Sequence, residues 1–146
     1  MNSAYKKWRS SIVDRGVELY EIRHDAAIKS MQDTPPVESR FLGLHSKAFV
    51  VDGETVYVGS HNFDPRSAAL NTELGMLVRS AGLAAKLKRI FERDVLPGNA
   101  WRVRRDEEGA LVWESEAARV KRQPARSGWQ RLQDAFLGIL PIEDQL

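Results

Sequence analysis

The stretch that decides the fold is residues 40–62, which reads RFLGLHSKAFVVDGETVYVGSHN. Two apolar runs, Phe41–Val51 and Val56–Gly59, lie on either side of the turn-rich segment Asp52–Thr55. Apolar runs that flank an Asp-Gly pair are typical of a β-hairpin. The sequence therefore predicts two antiparallel strands joined by a four-residue loop.

Polar side chains interrupt the apolar strands of this hairpin. With a four-residue loop, Lys47 lies opposite Ser60. The same register places His45 opposite Asn62. Because side chains alternate along a strand, all of these groups project from one face. Burying an imidazole, an ammonium, a hydroxyl and an amide costs several kcal/mol unless they are paired or used, so the cluster is a candidate functional site.

The composition is that of an ordinary globular chain and excludes several classes of protein. The 146 residues are 42% apolar and 29% charged, which suits one domain with a core. No cysteine is present, so disulfides and thiolate metal sites are excluded. No run approaches the roughly 18 apolar residues that span a bilayer, and we expect no signal peptide in this chain. A net charge of +2 permits an anionic partner without requiring one.

Hydrophobic periodicity predicts helices and strands on both sides of the hairpin. We expect the first helix and the first strand to pack beside the hairpin. The predicted elements are a helix over Ala4–Arg15, a strand over Val17–Ile22, a surface loop over His24–Glu38, a third strand over Asn71–Val78, a helix over Gly82–Val95, a second hairpin over Ala100–Glu114 and an amphipathic helix over Ser127–Leu140.

The hairpin residues also fit a known motif. Their spacing is His45-x-Lys47-x4-Asp52-x6-Gly59-Ser60-x-Asn62. This spacing matches every defined position of the HKD motif, and the chain resembles the phospholipase D superfamily. The continuation Asp64-Pro65-Arg66-Ser67-x3-Asn71-x-Glu73 and the closing segment RSGWQRLQDAFLGILPIEDQL are similar to the bacterial cardiolipin synthase branch, particularly its C type.

The resemblance implies a fold and a division of the chain. The implied fold is α/β, of mixed α+β type: a phospholipase D-like domain with a mixed β-sheet flanked by helices, incomplete at its N-terminus. Residues 1–98 would form the region that contains the HKD motif. Residues 99–146 would add a β-hairpin and an amphipathic C-terminal helix packed on that region.

The residue types of the motif suit attack at phosphorus, because a phosphodiester is anionic. The neutral imidazole of His45 would be a nucleophile near pH 7 and could form a covalent phosphoryl intermediate. The ammonium of Lys47 would neutralise the charge that builds on the non-bridging oxygens. Ser60 and Asn62 would donate hydrogen bonds to the same oxygens.

Two carboxylates have different expected roles. Glu73, on the predicted third strand, is the candidate to hold the imidazole from behind in one tautomer, and the resemblance implies an acidic residue at this position. Asp52 lies at the hairpin turn, an odd number of residues from His45, so we expect it to organise the turn without touching substrate. This scheme requires no metal and no cofactor, and none is expected.

The resemblance also implies partners. In the phospholipase D superfamily two HKD motifs meet at one site, whereas this chain carries one. The second would come from a missing N-terminal half or from a homodimer partner. Phospholipid substrates are implied, phosphatidylglycerol first and phosphatidylethanolamine second, with peripheral membrane contact and a location in the bacterial cytoplasm or on the cell membrane. Nucleic acid is not expected, because no coherent aromatic and basic surface is evident.

Three functions stay open at this point. The first is a phosphatidyltransferase of cardiolipin synthase type that acts through a phosphohistidine at His45. The second is a single-motif, dimeric phosphodiesterase or nuclease, in which water replaces the alcohol acceptor. The third is a catalytically inert fragment that keeps the fold. The motif residues serve the first two equally well.

Overall fold

The computed structural model describes residues 2–31, 45–62 and 65–124. The helices are α1 over Asn2–Asp14, α2 over Pro65–Ala69 and α3 over Ala81–Asp94, with a 3-10 helix over Ala27–Met31. The strands are β1 over Leu19–Ile22, β2 over Lys47–Val51, β3 over Thr55–Gly59, β4 over Gly75–Arg79, β5 over Ala100–Arg105, β6 over Leu111–Glu114 and β7 over Arg119–Val120. The expected α/β class, with helices and sheets, is confirmed. Within these ranges no helix is long and apolar enough to cross a membrane.

The described strands form two antiparallel sheets where the sequence predicted one mixed sheet. One sheet has the order β1-β5-β6-β7 and the other has the order β2-β3-β4. The tertiary contacts divide the chain into two units. Of the described residues, 2–31 and 94–124 form the four-stranded unit, and 45–62 and 65–93 form the hairpin unit. The expected division between residues 1–98 and 99–146 stays a prediction.

Strand β1 belongs to the four-stranded unit, because it pairs along its whole length with β5. The expectation that the first helix and strand pack beside the hairpin stays a prediction. The helix before it ends where Gly16 adopts a left-handed conformation with φ of 78°. The amide of Gly16 donates to the Val13 carbonyl at 3.0 Å, and the amide of Val17 donates to the Ile12 carbonyl at 3.3 Å. These two bonds form a Schellman cap, which satisfies the last carbonyls of the helix.

A buried arginine joins α1 to the sheet of this unit. Arg9 is 4% exposed, and its Nε lies 2.8 Å from Oε1 of Glu21 on β1. Its guanidinium carbon lies 4.8 Å from the ring centroid of Tyr5 and 5.1 Å from that of Trp113. Both aromatic residues also donate to the Glu21 carboxylate, Trp113 at 3.0 Å and Tyr5 at 3.1 Å. A buried charge is stable only with such pairing, so this cluster fixes the helix on the sheet.

The surface loop expected over His24–Glu38 is wrong in its first part. Ala26 and Ile28 are 3% and 5% exposed, and a short 3-10 helix carries the second of them. The amide of Ile28 donates to Oδ1 of Asn99 at 3.2 Å. These apolar side chains join the core of the four-stranded unit. The remainder of that segment and the helix expected over Ser127–Leu140 lie outside the described residues.

The first hairpin forms as predicted, but its loop is shorter than expected. Val51 pairs with Thr55 across a loop of three residues. Lys47 consequently pairs with Gly59 and not with Ser60. Both polar pairs expected across the hairpin are therefore wrong by one residue. A shift of one residue matters because side chains that were expected to project from the same face of the sheet then project from opposite faces.

The backbone of the loop explains the difference. Asp52 and Gly53 have φ values of 52° and 69°. The amide of Glu54 donates to the carbonyl of Val51 at 3.2 Å. Two consecutive left-handed residues closed by such a bond make a tight turn, for which Asp-Gly is a favoured pair, and Glu54 is the third residue of the loop. The tight turn completes the reversal early and brings Thr55 into the strand.

The third strand and the following helix complete the hairpin unit. Strand β4 pairs with β3 and places Gly75 opposite Gly59 and Leu77 opposite Tyr57. Helix α3 confirms the helix predicted over Gly82–Val95. The side chains buried in this unit include Val56 on β3 and Ala84 on α3, each 1% exposed.

Candidate active site

The predicted site residues other than Asp52 gather at one end of the three-stranded sheet. Lys47, Gly59 and Gly75 are paired in one row across β2, β3 and β4, and this row is the end of the sheet. The other predicted residues lie just beyond the row along the chain, with His45 before β2, Ser60 and Asn62 after β3, and Glu73 before β4.

The first group at this end is an imidazole with an ammonium held against it. Nζ of Lys47 lies 2.9 Å from Nδ1 and 3.2 Å from Nε2 of His45. The same Nζ donates to the His45 main-chain carbonyl at 2.7 Å. A neutral imidazole offers one acceptor nitrogen and an ammonium has three protons to donate, so both bonds can form together. The cation therefore lies beside the ring while the imidazole stays exposed.

The second group is a carboxylate held by a hydroxyl and an amide. The hydroxyl of Ser60 donates to Oε2 of Glu73 at 2.5 Å, and Nδ2 of Asn71 lies 3.4 Å from Oε1. Ser60 is itself fixed to the start of β4, because its hydroxyl accepts from the Leu74 amide at 3.0 Å. Its own amide donates to the Leu74 carbonyl at 2.8 Å. Both oxygens of the carboxylate thus have partners.

These donors keep Glu73 ionised. The hydrogen bond from Ser60, followed by those from Ser67 and Asn71, holds the pKa of Glu73 below its usual value, and His61 contributes in the same direction. Ser67 belongs to α2 and is 4% exposed, so a buried hydroxyl contributes to the lowered pKa of Glu73. The group supplies a negative charge at the same end of the sheet as the imidazole–ammonium pair.

The role expected for Glu73 behind the imidazole of His45 stays a prediction. Within the described residues, the Glu73 carboxylate has hydrogen bonds from Ser60 and Asn71. The side-chain bonds of His45 run to Lys47. The end of the sheet therefore carries two hydrogen-bonded groups.

The other predicted residues occupy two different places. Asp52 lies in the turn, at the opposite end of the strands from His45. Asn62 is half-buried at the near end, two residues after Ser60. The roles expected for both stay predictions.

An aromatic pair lies on the face that carries Lys47. Phe49 and Tyr57 stack with centroids 4.8 Å apart and planes inclined by 13°. Residues paired directly across antiparallel strands share a face, so Gly59 and Gly75 lie on it as well. The Tyr57 ring covers both glycines, and a Cβ atom on either would collide with it. Only glycine fits beneath this ring at the end of the sheet.

Sequence reasoning missed several of these residues. Asn71 and Glu73 are two positions apart, a spacing that places both on one side of an extended segment and could have indicated their contact. Tyr57 is one of many apolar strand residues, and nothing local distinguishes it. Ser67 is part of the stretch that resembles the cardiolipin synthases, but no role follows from its sequence position, because its effect on Glu73 depends on how α2 folds.

Comparisons with known proteins identify the family of the chain. The family model described as "Cardiolipin synthase, PLD-like domain" matches residues 1–95. Cardiolipin synthase C of Escherichia coli strain K12 is 36% identical over 148 residues, which cover 98% of this chain and 31% of that protein. An uncharacterized protein of Helicobacter pylori strain 26695 is 33% identical over 58% of this chain and 16% of its own length. Cardiolipin synthase 2 of Staphylococcus epidermidis strain RP62A is 41% identical over 38% of this chain and 12% of its own length.

The chain spans less than a third of the length of each of these relatives. No solved structure matches it. The family model matches more than half of the chain, and the matched range contains His45, Lys47, Ser60 and Glu73. The chain therefore belongs to the cardiolipin synthase family of PLD-like domains.

Proposed function

We propose that the chain carries one catalytic half of a phosphatidyltransferase of cardiolipin synthase type, which acts through a phosphohistidine at His45. The observation that carries the proposal is the Lys47 ammonium held 2.9 Å from Nδ1 of an exposed imidazole, in HKD spacing. The cation attracts an anionic phosphodiester, and the exposed imidazole beside it can then act as the nucleophile.

The reaction would proceed in two displacements. In the first, an imidazole nitrogen of His45 attacks the phosphorus of a phospholipid, the P–N bond forms, and the P–O bond to the headgroup alcohol breaks. The alcohol leaves with a proton from a general acid. In the second, the glycerol hydroxyl of phosphatidylglycerol attacks the same phosphorus, loses its proton to that group, and the P–N bond breaks. Two phosphatidylglycerol molecules then give cardiolipin and glycerol, and phosphatidylethanolamine as donor gives ethanolamine instead.

Lys47 has to move for the first displacement. Its ammonium lies 2.9 Å from Nδ1 and 3.2 Å from Nε2 of the imidazole and donates to the main-chain carbonyl of His45. We infer that a bound phosphate draws the ammonium onto its non-bridging oxygens, which frees the imidazole nitrogen for attack. The ammonium then lies where negative charge builds in the transition state.

The remaining residues would have supporting roles. Asn62 would donate to the phosphate oxygens, and Ser60 would do so once substrate competes with Glu73 for its proton. The Glu73 carboxylate, kept ionised by its donors, would stabilise the imidazolium that forms when the headgroup leaves. Asp52 would act through the turn that sets the hairpin register.

A complete site would need a second HKD motif to supply the general acid. The chain covers 31% of the E. coli relative, so further polypeptide of the same protein is the first candidate source and a homodimer partner is the second. We propose phospholipid partners, phosphatidylglycerol and phosphatidylethanolamine, met at the surface of the bacterial membrane. The partial-chain reading predicts that the isolated chain binds lipid headgroups more readily than it turns them over.

The test is incubation of the purified chain with phosphatidylglycerol vesicles, with and without phosphatidylethanolamine, beside a His45→Ala control. Products would be measured by lipid mass spectrometry, and the protein would be examined for an acid-labile phosphatidyl adduct. An adduct on His45, or cardiolipin made only by the unmutated chain, supports the proposal. Headgroup release without cardiolipin would indicate hydrolysis in place of transfer. No adduct and no product from a chain supplemented with the missing part of the protein would refute it.

A further inference from the structure

Strand β4 is exposed along its whole length, unlike the opposite edge of the same sheet. All five residues of β4 are exposed, whereas four of the five residues of β2 are half-buried. Leu77 is 70% exposed and Met76 is 62% exposed, and Leu74, just before the strand, is 78% exposed. In the described part of the chain no strand pairs with the outer side of β4. An apolar edge strand with free backbone groups is a template for pairing with another strand.

The ladder with β3 determines which backbone groups face outward. The carbonyl of Leu74 accepts from the amide after β3 at 2.8 Å, and the amide of Ser80 donates to the carbonyl before β3 at 2.7 Å. Alternate residues of a strand direct their N–H and C=O groups to the same side. The backbone N–H and C=O groups of Met76 and Val78, which lie between these two residues, therefore point toward β3. Gly75, Leu77 and Arg79 direct both backbone groups to the free edge.

We propose that β4 pairs in antiparallel fashion with β4 of a second copy of this chain, about a two-fold axis at Leu77. In this register Leu77 lies opposite its own copy, Met76 lies opposite Val78, and Gly75 lies opposite Arg79. Every outward N–H and C=O of Gly75, Leu77 and Arg79 then has a partner. The pairing joins two three-stranded sheets into one.

The side chains of β4 are complementary to themselves in this register. Arg79 is the one charged residue of the strand, and it falls opposite Gly75, which has no side chain. Like charges directly opposite each other would be destabilising, and this register keeps the two guanidinium groups apart. The other facing pairs are apolar on both sides of the sheet. Burial of these exposed side chains supplies the driving force for association.

The competing occupant is a strand from further polypeptide of a longer protein. Such a strand would satisfy the same backbone groups. Self-pairing, however, also explains why a glycine, Gly75, is in the position that lies opposite Arg79. The self-pairing is also independent of the proposed chemistry. It would leave β2 outermost in a six-stranded sheet, and the two copies of His45 would lie at opposite ends of that sheet, about 24 Å apart across the strands and about 35 Å apart overall. The pairing therefore does not unite two HKD motifs.

The absence of native cysteine allows a clean cross-linking test of the register. In Leu77→Cys the two Cα atoms would lie about 5.5 Å apart, inside the range of about 4.4–6.8 Å that a disulfide spans. The matched control is Met76→Cys, of similar exposure, whose own copy lies diagonally at about 7–8 Å and out of reach. We expect mild oxidation to convert most Leu77→Cys chains to covalent dimers and few Met76→Cys chains. Equal cross-linking of both, or none in Leu77→Cys, would overturn the proposal.

A second test measures mass by light scattering across a concentration series. We expect the native chain to reach twice its 16.5 kDa mass and Leu77→Lys to remain at the single mass. The control is Leu96→Lys, an equivalent change at a 54%-exposed leucine of the four-stranded unit, and it should still dimerise. A native chain that stays at the single mass, or a Leu77→Lys variant that dimerises as well as the control, would contradict the β4 interface.

Discussion

The hydroxyl of Ser60 donates to the carboxylate of Glu73 at 2.5 Å, although 13 positions separate the two residues in the chain. The bond forms because β3 ends and β4 begins at the same row of the sheet, where Gly59 lies opposite Gly75. It is the leading reason that the pKa of Glu73 lies below its usual value. The β3–β4 register therefore controls the charge of a side chain in the site.

Replacing Ser60 by alanine should raise the pKa of Glu73, because it removes the strongest of its donors. A carboxyl whose folded pKa is depressed stabilises the fold above its unfolded pKa, and that contribution disappears as the pH falls through the folded pKa. In Ser60→Ala this contribution should be smaller, and its loss should be complete at a higher pH. Carboxyl ¹³C NMR titration would measure this shift. Ser30→Ala, the same change at an exposed position of the 3-10 helix in the other unit, should leave Glu73 unaffected, and an unchanged Glu73 in Ser60→Ala would contradict the assignment.

Substitutions at His45 and Lys47 should differ in degree. His45→Ala should abolish phosphatidyl transfer and the covalent adduct, since no other group replaces the nucleophile. Lys47→Arg should lower transfer about a hundredfold, because a guanidinium fork replaces a compact ammonium at the developing charge. Initial rates on mixed phospholipid vesicles would measure both, with the chain supplied with a second motif where needed.

The control for these rates is Lys86→Arg, the same change on the exposed surface of α3, which should keep the native rate. Glu73→Gln should cost less than His45→Ala, because it leaves the nucleophile in place. Full turnover by His45→Ala, or a larger loss in Glu73→Gln than in His45→Ala, would refute the roles assigned to these residues.

The stability of the turn between β2 and β3 should depend on the backbone conformation of its residues and not on the chemistry of their side chains. Gly53 has a φ of 69°, and a Cβ atom there would have no neighbour within 4 Å. Gly53→Ala should therefore cost about 1 kcal/mol through left-handed strain alone. Asp52→Asn should be nearly neutral, because asparagine tolerates the same conformation. The control is Gly82→Ala in α3, where alanine should stabilise the helix by up to about 1 kcal/mol.

Urea denaturation would measure all three changes. A Gly53→Ala variant as stable as the native chain would show that the turn is not the source of the register. A large loss of stability in Asp52→Asn would give the carboxylate a role beyond the turn.

The sequence predicts those parts of the molecule whose signal is local. Helix α3 and the first hairpin have strong periodicity and a marked Asp-Gly turn, and both form. The register of the hairpin is different, because Asp52-Gly53 fits a three-residue loop as well as a four-residue one. The φ values that decide between them are known only in the folded backbone. A difference of one residue in the loop length changes the residue opposite Lys47 from Ser60, as predicted, to Gly59, as observed.

The remaining differences come from contacts distant in sequence. Strand β1 pairs with β5, which follows about 80 residues later, and the sequence of β1 does not indicate which strand it pairs with. At the site, the motif identifies the residue types and their common end of the sheet. The bond from Ser60 to Glu73 depends on the pairing of β3 with β4, so the motif alone does not predict it.

The buried pair of Arg9 and Glu21 should be the most sensitive point of the four-stranded unit. Their side chains are 5% and 17% exposed, and the carboxylate also accepts from Tyr5 and Trp113. Glu21→Gln leaves a buried guanidinium without its counter-charge and should cost about 3–5 kcal/mol. The exposed pair Arg102–Glu18, 2.7 Å apart, provides the control, and its rupture should cost at most about 1 kcal/mol.

A double-mutant cycle separates the ion pair from simple loss of packing. In Arg9→Met/Glu21→Gln no buried charge is left uncompensated, so the double change should cost clearly less than the sum of the two single changes. Free energies of unfolding from urea titration would give the coupling. Additive costs would mean that the guanidinium is held by the rings of Tyr5 and Trp113 rather than by the carboxylate. Coupling of the size that a buried pair requires would identify Glu21 as the group that keeps Arg9, and with it α1, on the sheet.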